Sequence, residues 1–216
     1  MPRCFDMARI ETALRRLQAD FPDINRRLKA ERDYLSDEIL ENMMSGYAYI
    51  DELLTTGIEL FSLGQLKHFL EINTRVLCGV GEAKRGEYVR HIQATEKRFY
   101  DEPGAGIEGL MEWHALHRRE SPWDHAAGIY CRIMSKPQLF IEGNHRSGSL
   151  IMSYFLSRAG QPPFVLSADN ASAYFSLSEQ ITGLRSGGFR WFSDATRLRS
   201  RLADFLKEQA EPGHPV

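Results

Sequence analysis

The residue types best suited to chemistry lie together in residues 137–150, Pro-Gln-Leu-Phe-Ile-Glu-Gly-Asn-His-Arg-Ser-Gly-Ser-Leu. An apolar start and a turn through Glu142, Gly143 and Asn144 lead into a helical pattern. The first N–H groups of a helix have no partner within it, and the helix dipole makes that end attractive to anions. Gly143 allows a ligand to approach the backbone closely, and Arg146 offers a planar fork suited to phosphate. The segment therefore predicts a phosphate site.

Glu142 extends this prediction to a metal ion. A carboxylate is a hard oxygen ligand, and here it is placed to hold Mg²⁺ that also contacts phosphate groups. A plainer interpretation of the same segment stays open, in which a turn glycine and a surface arginine mark an ordinary helix start. Short glycine motifs match by chance often enough that local features alone do not decide between the two.

The order of motifs along the second half of the chain favours the functional interpretation. The segment Phe140–Arg146 resembles the core motif of the Fic (fido) family, His-x-Phe-x-Asp/Glu-Gly-Asn-Gly-Arg-x-x-Arg. An apolar helical run, Leu150–Leu156, follows it, then the turn Ala159–Phe164 and a segment containing Tyr174, all in the order typical of the family.

The resemblance implies a mainly helical protein that transfers AMP from ATP to a hydroxyl group of a target protein, although some relatives move other phosphate-containing groups. It implies ATP and Mg²⁺ as cofactors, with Glu142 at the magnesium position. Nucleotide phosphates would be held by four consecutive residues: Gly143, Asn144, His145 and Arg146. Tyr174 would help to wall the adenine pocket, for which an ordinary core aromatic is the alternative.

Three motif positions depart from the family pattern. Gln138 stands where the family has the histidine that takes the proton from the attacking hydroxyl, and a primary amide cannot act as a general base at neutral pH. His145 replaces the second glycine, and as the nearest titratable side chain it is the candidate substitute base. Ser149 replaces the second arginine, which in the family holds the terminal phosphate.

Composition restricts the class of protein. The 216 residues are 43% hydrophobic and 26% charged, with a net charge of −2 and a sequence pI near 6.4, as expected of a globular protein with a real core. This balance argues against nucleic-acid or membrane partners held by bulk charge. Three scattered cysteines suggest a reducing compartment, and no run is apolar enough for a signal or a membrane span. We expect a cytoplasmic protein, and the sequence leaves homo-oligomerisation open.

Hydrophobic spacing predicts helices through most of the chain. A first helix should end at Pro22, followed by a second run from Asn25 to Leu54, and Ser121 should cap a later helix that leads towards the motif. These patterns suggest an N-terminal helical extension over residues 1–60, a Fic-like domain over 61–210 and a tail over 211–216.

Residues 86–107 carry a looser pattern that favours a short β-hairpin, because apolar positions flank a polar turn and a Pro-Gly-Ala-Gly segment follows. Fic proteins have a hairpin flap at this place in the order. By that resemblance, a flap near residues 90–107 would dock the target protein by strand addition. A plain surface loop is the alternative. The predicted fold class is thus all-α and Fic-like, with a short β-hairpin flap.

Glu41 raises the question of autoinhibition. Many Fic proteins carry a helix whose glutamate pairs with the second motif arginine, and Glu41-Asn42 resembles the end of that helix pattern. The arginine it should pair with is Ser149 in this chain, so an inhibitory carboxylate would lack its cation. We therefore favour a solvated helix face for Glu41 over an inhibitory role.

Three hypotheses for function follow from the sequence. The chain is an active transferase of AMP or of another phosphate-containing group, a non-catalytic module that binds a nucleotide or a partner, or a structural helical module. The phosphate-binding residues favour the first hypothesis, and Gln138 and Ser149 favour the second. We expect a degenerate Fic protein that still binds a nucleotide but no longer transfers AMP efficiently.

Overall fold

A computed structural model describes residues 4–102, 106–185 and 191–210, except for the side chains of residues 191 and 192. Within these ranges the chain forms ten helices and no sheet, which confirms the predicted all-α class. The helices in chain order are α1 (Met7–Asn25), α2 (Asp37–Thr55), α3 (Lys67–Cys78), α4 (Glu82–Glu87), α5 (Val89–Asp101), α6 (Ile107–His117), α7 (Pro122–Met134), α8 (Asn144–Arg158), α9 (Ala171–Thr182) and α10 (Trp191–Gln209).

Short polar side chains fix where two of these helices begin. The Ser36 side chain accepts a hydrogen bond from the Ile39 N–H at 3.2 Å, and helix α2 follows it. The Ser121 side chain accepts from the Asp124 N–H at 3.1 Å, which confirms the predicted cap of α7. Each bond satisfies one of the N–H groups that the first turn of a helix leaves without a partner.

The predicted helix break at Pro22 is wrong. Helix α1 continues through Pro22 to Asn25, although proline loses its own helix hydrogen bond and its ring crowds the carbonyl four residues before it. The last turn survives because the residues after Pro22 still reach carbonyl groups behind them. The Arg26 N–H, for example, donates to the Pro22 carbonyl at 3.3 Å. The second helix starts later than predicted, at Asp37. Residues 26–36 form a loop between α1 and α2, which we call the α1–α2 loop.

The predicted β-hairpin is also wrong. Most of its span folds as α5, with the short helix α4 before it, and residues 103–105 lie outside the described ranges. Ile92, Thr95 and Phe99 recur at spacings of three and four, so they share one face of a helix. Thr95 and Phe99 are buried on that face. Packing of this face against α3 thus stabilises a helix here, although the weak alternation of apolar and polar residues suggested strands.

Helix α8 is the central buried helix of the fold. Its residues 147–156 are buried, and it packs against α7, α2 and α3. The close contact with α7 depends on Gly148, because a Cβ atom there would lie 3.0 Å from the ring of Tyr130. The N-terminal end of α8 is consequently fixed by three neighbouring helices.

Helices α1 and α2 share their hydrophobic core with the rest of the molecule. The same buried cluster contains Leu14, Tyr47, Ile72 and Leu150, which lie on four different helices. The division into an extension over residues 1–60 and a domain over 61–210 stays a prediction, and the tail over 211–216 lies outside the described ranges. None of the described helices has the length and apolarity needed to cross a bilayer.

Candidate functional site

The start of α8 presents backbone donors, as the sequence predicted. Gly143 caps the helix in the left-handed region, with φ of 75°. A Cβ atom at Gly143 would also lie 2.9 Å from the Nδ2 atom of Asn73, so both backbone conformation and space require glycine. The first intrahelical bond joins the Ser147 N–H to the Gly143 carbonyl at 2.8 Å. The N–H groups of the three residues before Ser147 precede this bond and are oriented as helix-terminal donors.

Asn144 holds the loop that precedes the helix. Its side chain is only 4% exposed, and its Oδ1 atom accepts from the Phe140 N–H at 2.9 Å while Nδ2 donates to the Phe140 carbonyl at 2.8 Å. Asn73 adds a second tie from α3, because its Nδ2 atom donates to the Glu142 carbonyl at 2.8 Å. The Asn144 amide is thus engaged with the protein, and its two hydrogen bonds to the Phe140 backbone hold the turn before α8 in shape.

Gln138 lies at the entrance to this loop. Its Oε1 atom accepts a long hydrogen bond from Asn144 Nδ2 at 3.4 Å, and its backbone carbonyl accepts from Arg98 Nη2 of α5 at 2.8 Å. The Phe99 ring of α5 stacks on Phe140 of the loop, with centroids 6.0 Å apart and planes 3° apart. Helix α5 therefore packs directly on the segment that contains the position of the family's catalytic histidine.

His145 uses both ring nitrogens within the protein. Its Nε2 atom lies 3.1 Å from Arg32 Nη1, and its Nδ1 atom lies 2.7 Å from the Ser178 hydroxyl. Because a guanidinium can only donate, Nε2 is the acceptor and Nδ1 carries the proton. Burial, followed by the charges of Arg32 and Arg146, lowers the pKa of His145 to about 4. The imidazole is therefore neutral at physiological pH, and it would have to break a hydrogen bond to act as a base.

A buried chain of hydroxyl groups lies behind His145. The Tyr174 hydroxyl donates to the Tyr130 hydroxyl at 2.9 Å, and the Tyr130 hydroxyl lies 2.5 Å from that of Ser178. Burial raises the pKa of Tyr130 to about 12, so it stays protonated. The Tyr174 hydroxyl is part of this hydrogen-bonded series of hydroxyl groups, and the residue itself is only 2% exposed.

Arg146 and Ser149 complete the first turns of α8. The Arg146 guanidinium donates to the Val76 carbonyl of α3, and burial lowers the pKa of this side chain from its ordinary value. Arginine nevertheless stays charged in proteins. The Ser149 hydroxyl donates to the Arg146 carbonyl at 2.8 Å. At position 149 the helix therefore has a neutral, internally bonded side chain where the family motif has a second cation.

A cavity of about 200 Å³ opens beside these first turns of α8. Its polar wall is formed by Arg32, Asp33, His145, Arg146 and Ser149. Apolar and aromatic residues form the remaining walls: Leu14, Leu17, Phe21, Leu35, Ile39, Met43, Leu166, Tyr174 and Phe175. Binding sites for drug-sized ligands measure about 300–1,000 Å³, so this cavity fits part of a nucleotide and not all of it.

A second cavity, of about 540 Å³, lies between α3 and α5. It is lined by Asn73 and Leu77, the side chains that a Cβ atom at Gly143 would meet. Two of its cations, Arg75 and Arg85, already pair with Glu71. The smaller cavity is lined by the first-turn side chains of α8 themselves and is the better candidate for an anion. We call the smaller cavity the α8 cavity.

Glu142 and Glu41 are both exposed. The Glu142 carboxylate forms no ion pair with the described residues, so it is free to bind a cation beside the loop. Mg²⁺ is commonly held by one or two carboxylates together with phosphate oxygens and waters, and a single exposed carboxylate beside a candidate phosphate site fits that pattern. Glu41 lies on α2 but is not among the residues that line the α8 cavity.

Sequence reasoning missed Arg32, Asn73, Tyr130 and Ser178, all of which contact the motif. Arg32 belongs to a basic stretch, Arg-Arg-Leu-Lys-Ala-Glu-Arg, which was a usable signal for an anion site. The other three are single residues in ordinary helix patterns, and nothing in their local sequence separates them from core positions.

Comparison with known proteins shows what the chain is similar to. No family model matches the chain. The chain is 31% identical over 134 residues to a protein adenylyltransferase Fic of Drosophila grimshawi, a match that covers 59% of this chain and 26% of that protein. It is 29% identical over 133 residues to the protein of the same name from Drosophila virilis, with the same coverage. The chain thus spans about a quarter of the length of the curated relatives it matches.

A solved structure shares the fold. The Fic domain containing signaling protein from Bacteroides thetaiotaomicron superposes with a TM-score of 0.51, at 15% identity, over 93% of this chain and 87% of that one. The architecture is therefore the all-helical Fic fold. The sequence matches and the core motif are similar to Fic proteins, and the shared fold agrees with that similarity.

The buried neutral state of His145 predicts acid sensitivity. An ordinary histidine has a pKa of about 6.5, so between pH 6.5 and 4 the unfolded chain binds a proton at this position that the folded chain does not. Stability should therefore fall as the pH falls through this window, by up to about 3 kcal/mol for one histidine.

Urea unfolding at a series of pH values measures this effect. The His145→Gln variant should show a flatter dependence of unfolding free energy on pH between 6.5 and 4. His125, whose pKa is also lowered to about 4 by burial, remains in that variant, so part of the slope should persist. An unchanged slope would show that His145 binds its proton equally well in the folded and the unfolded chain.

Proposed function

We propose that this protein is a Fic-family nucleotide-binding protein whose AMP-transfer chemistry is weak because Gln138 occupies the position of the catalytic histidine. The observation that carries the proposal is the start of α8, where the helix leaves its first N–H groups without partners inside it and where His145 and the cation of Arg146 line the α8 cavity. These features suit a phosphate group.

The ligand we propose is ATP with Mg²⁺. The backbone N–H groups of Asn144, His145 and Arg146 would donate hydrogen bonds to phosphate oxygens. Glu142 would hold the metal ion that also contacts the phosphates. A bound Mg²⁺ ion supplies charge neutralisation for the phosphates. Because the α8 cavity is smaller than a whole nucleotide, part of the ligand would extend out of it over the surface of the first turn.

The transfer step explains why the position of Gln138 matters. In AMP transfer, the hydroxyl oxygen of the acceptor bonds to the α-phosphorus, the bond to pyrophosphate breaks, and the hydroxyl proton must be accepted by a base. The Gln138 amide accepts no proton near neutral pH, and His145 is held neutral with both nitrogens engaged. Loss of a general base costs about 10²–10⁴ in rate, so nucleotide binding would outlast efficient transfer.

We further propose a cytoplasmic setting and a protein acceptor. Cys4, Cys78 and Cys131 are all free thiols in the structure, which suits a reducing compartment. The acceptor would present a hydroxyl side chain near Gln138, on the side where α5 packs on the loop. The named activity of the Drosophila relatives motivates this acceptor class.

Binding and transfer can be measured separately. Calorimetry with ATP and Mg²⁺ should give a saturable signal, and incubation with ATP labelled at the α-phosphate and a cell extract should leave little label on protein. Binding without appreciable label supports the proposal. Strong labelling would overturn the weakened chemistry, and absence of binding would overturn nucleotide recognition.

Arg146→Ala should weaken ATP binding by about 10- to 100-fold, since a charge-assisted hydrogen bond contributes about 1.5–3 kcal/mol. The matched control is Arg158→Ala at the opposite end of the same helix, where the guanidinium pairs with Glu59 at the surface. Arg158→Ala should leave the affinity unchanged. Thermal melts of both variants separate a local loss of binding from unfolding, and equal affinities in the two variants would contradict a phosphate role for Arg146.

A further inference from the structure

Arg32 is held in the α8 cavity by a residue of α1. The Asn25 side chain accepts from the Arg32 N–H at 2.8 Å and donates to the Arg32 carbonyl at 2.8 Å, so both backbone groups of Arg32 are fixed. The guanidinium then lies 5.2 Å from the centroid of the Phe175 ring, and its Nη1 atom lies 3.1 Å from His145 Nε2. The α1–α2 loop thus delivers a fixed cation to the first turn of α8.

This cation has no counter-ion among the described residues. Its side-chain contacts are a neutral imidazole and an aromatic ring, and its Nε atom is buried without a hydrogen-bond partner. Arg146 likewise donates to a neutral carbonyl. Asp33 also lines the cavity but forms no ion pair with either arginine within the described ranges. Among the residues that line the cavity, two cations face one carboxylate, while Glu142 and Glu38 act on Arg146 electrostatically without forming an ion pair. Buried charges ordinarily find partners.

Arg32 supplies a positive charge near the position where α8 lacks the second motif arginine. Residue 149 is a serine whose hydroxyl bonds to the helix backbone, so the motif helix contributes one arginine and not two. Arg32 and Ser149 line the same cavity although they are 117 positions apart in the sequence. The second positive charge of the site therefore comes from a different element of the fold.

We propose that Arg32 is a phosphate ligand that replaces the missing motif arginine and binds the β- and γ-phosphates of a nucleoside triphosphate together with Arg146. The planar fork of arginine matches phosphate oxygens, and the hydrogen-bond partner of its Nη1 atom is a neutral imidazole that leaves the positive charge uncompensated. Asn25 is the positioning residue for Arg32. This inference rests on the proposed nucleotide-binding function, and it adds a preference for triphosphates over monophosphates.

Calorimetry on the full chain with ATP, AMP and inorganic pyrophosphate, each with Mg²⁺, tests the assignment. Arg32→Gln should weaken binding of ATP and of pyrophosphate by about tenfold or more, but binding of AMP by much less. The matched control is Arg27→Gln, which removes the same charge from an exposed position of the same loop and should change none of the three affinities. Equal ATP affinities in Arg32→Gln and Arg27→Gln would overturn the assignment.

Two further variants test how Arg32 is placed and what it replaces. Asn25→Ala should reproduce the selective loss of triphosphate binding and should add nothing in an Arg32→Gln background. Ser149→Arg in that background should restore ATP affinity, because it returns the cation to the helix. If Arg32→Gln does not fold, Asn25→Ala and Arg32→Lys carry the same comparison, with a loss for triphosphates alone as the expected result.

The outcomes separate this inference from the proposed function. If ATP binds equally well without Arg32, the proposed nucleotide binding holds, but Arg32 serves only as a hydrogen-bond partner of His145. Pyrophosphate binding that depends on Arg32, without binding of ATP, would establish the anion site and overturn nucleotide recognition. Absence of binding for all three probes would overturn both.

Discussion

Replacing Gln138 with histidine should raise AMP transfer by about 10²–10⁴-fold, the usual contribution of a general base. The new imidazole would start from the backbone position that the family motif uses, at the entrance to the loop that Asn144 holds in place. The present side chain is held only by long hydrogen bonds, at 3.4 Å to Asn144 and 3.4 Å to the Met134 carbonyl. Its replacement should therefore disturb the loop little.

Labelling with α-phosphate-labelled ATP measures this gain, and Gln138→Leu is the matched control because it fills a similar volume without a titratable group. Transfer by the histidine variant should rise with pH as its imidazole loses a proton, near pH 6.5 for an unperturbed histidine. ATP affinity should be the same in the wild type and both variants. If all three bind ATP and the histidine variant gains no activity, more than the base has been lost from the site.

Asn144→Leu should lower the free energy of unfolding by about 2–6 kcal/mol. The substitution keeps the shape of the side chain but leaves the buried N–H and C=O of Phe140 without partners, at about 1–3 kcal/mol for each group. Urea unfolding at neutral pH measures the loss. A decrease below 1 kcal/mol would show that the loop finds other hydrogen bonds.

The chain contains a matched control for this variant. Asn170, 3% exposed at the start of α9, makes the same pair of bonds: its Oδ1 accepts from the Ser167 N–H at 2.9 Å, and its Nδ2 donates to the Val165 carbonyl at 3.0 Å. Asn170→Leu should cost a similar amount of stability. Only Asn144→Leu should also weaken ATP binding, because only that loop shapes the donors of α8. Equal effects of the two variants on binding would point to general destabilisation.

Local sequence signals predicted most of the helices and the start of the motif helix, because these features depend on neighbouring residues. Gly143 caps α8 with positive φ, and Ser121 caps α7 by bonding three residues ahead. The hairpin failed where local signals were weak. Ile92, Thr95 and Phe99 fit a helix face as well as parts of two short strands, and packing on the core decided between them.

The electrostatics of the site could not be predicted because they depend on distant segments. The proposed base His145 is kept neutral by burial and by Arg32, a residue 113 positions away in the sequence. Its tautomer is set by Arg32 on one side and by Ser178 on the other. A single sequence shows which residues can form these contacts but not which loop folds back to form them.

The packing of α5 on the motif loop would limit how the proposed acceptor is recognised at Gln138. A helix saturates its own main chain, so α5 cannot offer the row of free N–H and C=O groups that an extended segment joins by strand addition. On this face only side chains such as that of Arg98, already anchored on the Gln138 carbonyl, are left to make contacts. The acceptor would then be recognised by the shape of its folded surface. Short peptides cut from a natural acceptor would be modified much less well than the intact protein.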